Sequence, residues 1–144
     1  MKPDSGRLVW PSSSYMATAF DTKGISDLSA SLAELKEQGV YLIAQISCLV
    51  DTLMATRDAP IALRDISGSV YTSSAGAWLD PYNSETRDYL YFLMHELAAM
   101  GFDEILLSNI VHPAGSVTYS QPLSITPTPI TAVSSISTRR TRIV

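Results

Sequence analysis

Three aspartates stand where carboxylate chemistry could be assembled. Asp4, Asp51 and Asp80 each fall near a loop that follows a predicted strand, and parallel α/β folds collect their reactive groups at that end of the sheet. Two carboxyl groups flanking a glycosidic bond can hydrolyse it, about 5–5.5 Å apart with retention and about 6.5–9.5 Å apart with inversion. Asp51 and Asp80 are the catalytic candidates. Each has a competing role, because Asp readily caps the helical turn that follows it. Asp80 lies within Trp78-Leu79-Asp80-Pro81-Tyr82. Trp78 has a broad apolar face suited to the C–H side of a pyranose, and Tyr82 is the second aromatic of the same segment. Core packing is the competing role for Trp78.

Other reactive types are sparser. Ser108 and His112 sit four residues apart at a predicted strand end. No acid accompanies them to orient the imidazole and no nucleophile elbow surrounds the serine, so a Ser-His hydrolase is disfavoured. His95 falls inside a predicted helix, and two separated histidines make no metal site. Neither a metal nor another cofactor is expected. Cys48 is the single cysteine; it cannot form an intramolecular disulfide and sits in an apolar run as a small buried hydrophobe. Asp103 and Glu104 precede a strand, which puts them at the structural end of a sheet rather than the reactive one.

The elements that would position these groups show in the periodicity. Residues 1 to 25 have no sustained period and read as loop, with a short strand at Arg7 to Trp10. Leu28, Leu32 and Leu35 recur at helical spacing after a cap at Ser26 or Asp27, and Gly39 ends that helix. The run Val40 to Val50 is nearly all apolar and rich in β-branched residues, the pattern of a parallel strand covered on both faces. Asp51 to Arg57 suits a helical turn, and Ser67-Gly68 suits a hairpin between Ala62-Leu63-Arg64 and Val70-Tyr71. Asn83 or Ser84 then caps a second helix, whose apolar positions Leu90, Leu93, Met94 and Leu97 keep a helical period until Gly101. A second apolar strand follows at Ile105 to Val111. Helix, glycine and strand thus occur twice, which is the mark of βαβ organisation.

The chain has 144 residues and a formal net charge of −4. That charge argues against a nucleic-acid partner, which would leave a basic footprint. Its apolar stretches fall short of the ~20 residues of a membrane span. The first residues lack the apolar core of a signal peptide; localisation stays open, and the cell envelope or exterior would suit a piece of a longer protein. From Ala114 the composition turns to Ser, Thr and Pro with no acidic residue. Residues 114–144 are therefore expected to be a disordered tail behind a domain at 1–113.

Four ordered segments carry a family resemblance: Lys2-Pro3-Asp4-Ser5-Gly6-Arg7, Gly39-Val40-Tyr41-Leu42-Ile43-Ala44-Gln45 with Asp51 beyond it, Trp78-Leu79-Asp80-Pro81-Tyr82, and Gly101-Phe102-Asp103-Glu104-Ile105. Together they resemble, over about the first 113 residues, a glycoside-hydrolase-like (β/α)8 barrel family long catalogued as a domain of unknown function. The chain departs from that family at three strand ends. Gln45 and Val111 stand where the family shows arginine, and Ser108 where it shows a strand-end aspartate.

The resemblance implies an α/β fold, one part of a parallel barrel with flanking helices, since a closed barrel takes roughly 250 residues. It also implies Lys2 as a substrate-binding residue beside Trp78 and Tyr82, and a carbohydrate partner. The chain is expected to act on or bind polysaccharide as a fragmentary or degenerate member with weak or no activity. The alternative is a non-catalytic carbohydrate-binding or assembly module. A partial barrel would leave open sheet edges, and self-association through them follows.

Overall fold

The computed structural model describes residues 1–18, 28–57, 59–113 and 117–118. A short helix, α1 (Tyr15–Thr18), precedes α2 (Leu28–Glu37). Leu32 is the buried residue of α2, Leu28 is half-buried and Leu35 is exposed, so the apolar stripe is real but narrow. Gly39, at φ 75°, turns the chain out of the helix. The caps expected at Ser26 or Asp27 lie outside the described residues.

Strand β1 (Ile43–Ser47) leads directly into α3 (Thr52–Arg57) and a 3₁₀ turn at Ala59–Ile61. Short strands follow: β2 (Arg64–Asp65), β3 (Thr72–Ser73) and β4 (Gly76–Ala77). The hairpin expected around Ser67-Gly68 forms, with Arg64 facing Val70 and the Ser69 amide donating to the Asp65 carboxylate at 3.0 Å.

Helix α4 (Ser84–Ala99) starts where the sequence places a cap. Asn83 stays extended and its side chain accepts the Glu85 amide at 2.8 Å, satisfying a first-turn donor. Thr86, Tyr89, Leu93 and Leu97 form its buried face. Each large apolar side chain buried there contributes about 1.5–3 kcal/mol; Leu93→Ala would leave a cavity costing about 2–5 kcal/mol. The chain then forms β5 (Glu104–Ser108), and β6 (Val117–Thr118) pairs antiparallel with β2. Two residues of the stretch expected to be tail are therefore sheet; residues 119–144 lie outside the described part.

The fold is α/β. Strands β1 and β5 pair in parallel, with Ile43 beside Glu104 and Ser47 beside Ser108. On the other side of β1, Lys2 bridges to Ile46, also in parallel. The N-terminal pairing is thus at Lys2 rather than at Arg7 to Trp10, where Trp10 anchors a loop by full burial. The expectation that β1 is covered on both faces holds for one. Ala44 and Ile46 enter the core with Tyr89, Leu93 and Leu97. Ile43 is 53% exposed and its same-face neighbour Leu106 is 50% exposed.

Candidate functional site

Three chain segments, the N-terminal one, β1 and β5, run side by side in one direction and end together. At those ends sit Asp4, Ser47, Ser108 and Asn109. Parallel α/β sheets concentrate ligand contacts at this end, where the loops that follow successive strands come together.

Beneath the strand ends lies a buried ion pair. Lys2 Nζ sits 3.0 Å from Asp51 Oδ2, with both side chains fully buried. The ammonium also donates to the carbonyls of Ser47 and, at 3.4 Å, Val50. Asp51 Oδ1 accepts the Met54 amide at 2.9 Å, capping α3, and Oδ2 accepts the Tyr89 hydroxyl at 3.1 Å. Burial first, and the neighbouring carboxylate second, push the Tyr89 phenol well above its ordinary range. Burial likewise raises the Cys48 thiol, against the opposing pull of Lys2. Breaking such a pair costs far more than replacing it whole, because one partner would remain as an uncompensated buried charge. Gly6 closes this chamber. A Cβ at residue 6 would lie 1.8 Å from Asp51 Oδ1, and the backbone there has φ +83°.

Above the pair, Asn109 latches the three ends. Its Nδ2 donates to Asp4 Oδ1 and to Ser47 Oγ, both at 2.9 Å, and its carbonyl accepts the Leu49 amide at 3.1 Å. Its φ of 53° makes it the non-glycine residue with a left-handed backbone among the described residues. Asn tolerates that conformation better than most side chains. Asp4 is also fixed through its carbonyl, which accepts the Thr52 amide at 3.1 Å. Ser108 Oγ donates to the Ile46 carbonyl at 3.2 Å. A cleft of about 620 Å³ opens over this floor, lined by residues 1–5, Val9, Gln45, Ser47 and Ser108. Its volume is in the range of small-molecule sites.

The expected site residues divide between two places. Lys2 lines the cleft floor with its ammonium turned inward to Asp51. Asp51, Asp80, Trp78 and Tyr82 are not among the residues lining the cleft. Asp80 is buried and its Oδ1 accepts the Tyr82 amide at 2.8 Å, an Asx turn at the entrance to α4. Trp78 is buried, edge-on to Tyr71, and its indole donates to Ser73 Oγ at 2.9 Å. Tyr82 stacks on His112 with centroids 5.8 Å apart. Asp103 binds Lys36 and the Leu42 amide at the opposite end of the sheet, and these donors hold its carboxyl below the usual range. Among the described residues no group of three His, Cys, Asp or Glu could hold a metal ion. No helix among them is long and apolar enough to cross a membrane. Sequence reasoning missed Asn109 and Ser47. The one available signal was an Asn directly after a strand, a residue type suited to φ above zero.

The comparisons with known proteins agree with this frame. A family described as "Putative glycosyl hydrolase domain" matches residues 1–138. The chain belongs to that family. No curated protein matches the chain. A crystal structure of a hypothetical protein from Ruminiclostridium thermocellum ATCC 27405 is similar, with a TM-score of 0.73 at 23% sequence identity. The match covers 82% of this chain and 63% of that one. The likeness is one of fold, and the chain spans less than two-thirds of that protein's length.

Proposed function

We propose that this domain handles polysaccharide, seating a sugar chain in the cleft over the parallel strand ends, with little or no hydrolysis by the chain alone. The observation that carries the reading is the cleft itself: about 620 Å³, with Asp4, Ser5, Gln45, Ser47 and Ser108 around it. Carboxylate, amide and hydroxyl groups on a partly apolar floor are the complement of a sugar ring. Membership of a family described as a putative glycosyl hydrolase domain supports a carbohydrate ligand. We read the three parallel segments as one arc of a (β/α)8 barrel. The exposed face of Ile43 and Leu106 then corresponds to its inner surface.

Hydrolysis needs two carboxyl groups across the bond. Asp4 is the one carboxylate lining the cleft among the described residues. Ser108, beside it, cannot supply negative charge or take part in proton transfer as an aspartate would. Both oxygens of Asp51 are engaged, by Lys2 and Tyr89 on one and by the α3 cap on the other. In this reading Lys2 and Asp51 hold the floor, while Asp80, Trp78 and Tyr82 shape the entrance to α4. The single cleft carboxylate favours the carbohydrate-binding form of the reading over the hydrolytic one.

Two assays test this. Affinity electrophoresis through gels containing soluble polysaccharides should retard the chain in at least one, and migration unchanged in all of them would refute polysaccharide binding. Polysaccharides and aryl glycosides should show no turnover, and Ser108→Asp alone should not create it. Turnover by the parent chain that Asp51→Asn or Asp80→Asn abolishes while the variant stays folded would overturn the binding-only reading.

A further inference from the structure

We infer that Asp4 is the residue through which the cleft grips its ligand, accepting hydrogen bonds from sugar hydroxyls, and that Asn109 is its positioning residue. The inference rests on the polysaccharide reading above and adds the contact itself. Asp4 reaches the cleft from the end of the N-terminal segment. Its backbone is pinned by Thr52 and its Oδ1 by Asn109. Among the described residues no hydrogen bond reaches Oδ2. A carboxylate held at one oxygen and open at the other keeps a fixed direction while retaining acceptor capacity for two hydroxyl donors. Hydrogen bonds to a charged acceptor are about twice as strong as neutral ones, so the hydroxyl-rich ligand best suited to the cleft is one that brings a pair of donors to Asp4.

Asn109 suits its role for two reasons that few other residues combine. Its backbone sits at φ 53°, where a β-branched or bulky side chain would be strained. Its amide reaches both Asp4 and Ser47, so one side chain sets the spacing between the N-terminal segment and the end of β1, both of which carry cleft residues. Glycine at 109 would keep the backbone and lose the amide. Aspartate would keep the backbone and set a second carboxylate against the first.

The test is calorimetric titration of the full chain with neutral hexasaccharides of glucose, xylose and N-acetylglucosamine in separate runs. For the hexasaccharide that binds, Asp4→Asn should weaken affinity at least about tenfold, as expected for loss of a charged acceptor. Asp4→Glu, which retains charge but displaces it, should fall between the two and serves as a second variant if Asp4→Asn fails to fold. Asn109→Gly should weaken binding in the parent chain and have a much smaller effect in an Asp4→Ala background, because it acts chiefly through Asp4. An equal loss in both backgrounds would make Asn109 merely structural and overturn its assignment. Wild-type binding that Asp4→Asn and Asp4→Glu leave intact would overturn the Asp4 contact alone. A wild type that binds none of the three overturns the polysaccharide reading, and this inference with it.

Discussion

Replacing Gly6 with alanine should be among the most destabilising single-methyl additions available to this chain. The new Cβ would meet Asp51 Oδ1 at 1.8 Å and Cγ at 2.6 Å. Asp51 cannot retreat freely. Its amide donates to the Ala77 carbonyl at 3.0 Å, and its carboxylate holds Lys2, Tyr89 and the Met54 amide. If Asp51 rotates, the buried pair is broken, at about 3–5 kcal/mol. If the loop moves instead, Lys2 is dragged from its partner and the cost is similar. The left-handed backbone adds about 1–2 kcal/mol for any residue with a Cβ. The two effects together reach about 4–7 kcal/mol, against a total of about 5–15 kcal/mol for an ordinary domain. Gly39 provides the control. It has φ +75° and nothing within 4 Å of an added Cβ, so Gly39→Ala should lose only the backbone share. Urea denaturation followed by tryptophan fluorescence would compare them. A Gly6→Ala midpoint matching that of Gly39→Ala would refute the claim that Gly6 exists to make room for the ion pair.

Other outcomes follow from single groups. Thr86 is fully buried and its hydroxyl has no hydrogen-bond partner among the described residues, so Thr86→Val should be neutral or raise stability by up to about 1 kcal/mol, measured by the same denaturation; a clear loss would mean the hydroxyl is satisfied. Burial would raise the Glu96 carboxyl, but donors from Ser12, the Ser13 amide, Trp10 and the Ser13 hydroxyl outweigh it and hold the group below its usual value of 4.5. A depressed folded pKa means the contribution is full above pH 4.5 and is lost as pH falls through the folded value. Thermal melts should therefore decline below pH 4.5, and Glu96→Gln should flatten that decline; parallel wild-type and variant curves would contradict this. The outer edge of β5 has no strand partner among the described residues, and Leu106, Leu107, Ile110 and Val111 are exposed near it. Sedimentation should show concentration-dependent association, and a concentration-independent monomer would count against it.

Much of the frame was legible in the sequence. The two helix-glycine-strand repeats read correctly because Leu93 and Leu97 keep a helical period, because Asn83 has the chemistry of a cap, and because Gly39 and Gly101 stop helices with positive φ. The exposure of Ile43 and Leu106 was not legible, since an apolar run reports a strand's preference for burial and not what covers it. The site was harder. Asp51 reads as an acid after a strand, which suits both a reactive group and a cap. Only three-dimensional pairing with Lys2, 49 positions away, shows both oxygens occupied. Asn109 and Asp4 are 105 positions apart, and no local pattern joins them.

Whether the strand-end cleft is the carbohydrate site can be read residue by residue in an NMR titration of the isotopically labelled chain with the hexasaccharide it binds. The largest shifts should fall on the backbone amides of Asp4, Ser5, Gln45, Ser47 and Ser108 and on the side-chain amide of Asn109. Shifts confined to Trp78, Asp80, Tyr82 and their neighbours, with the strand-end residues silent, would contradict it.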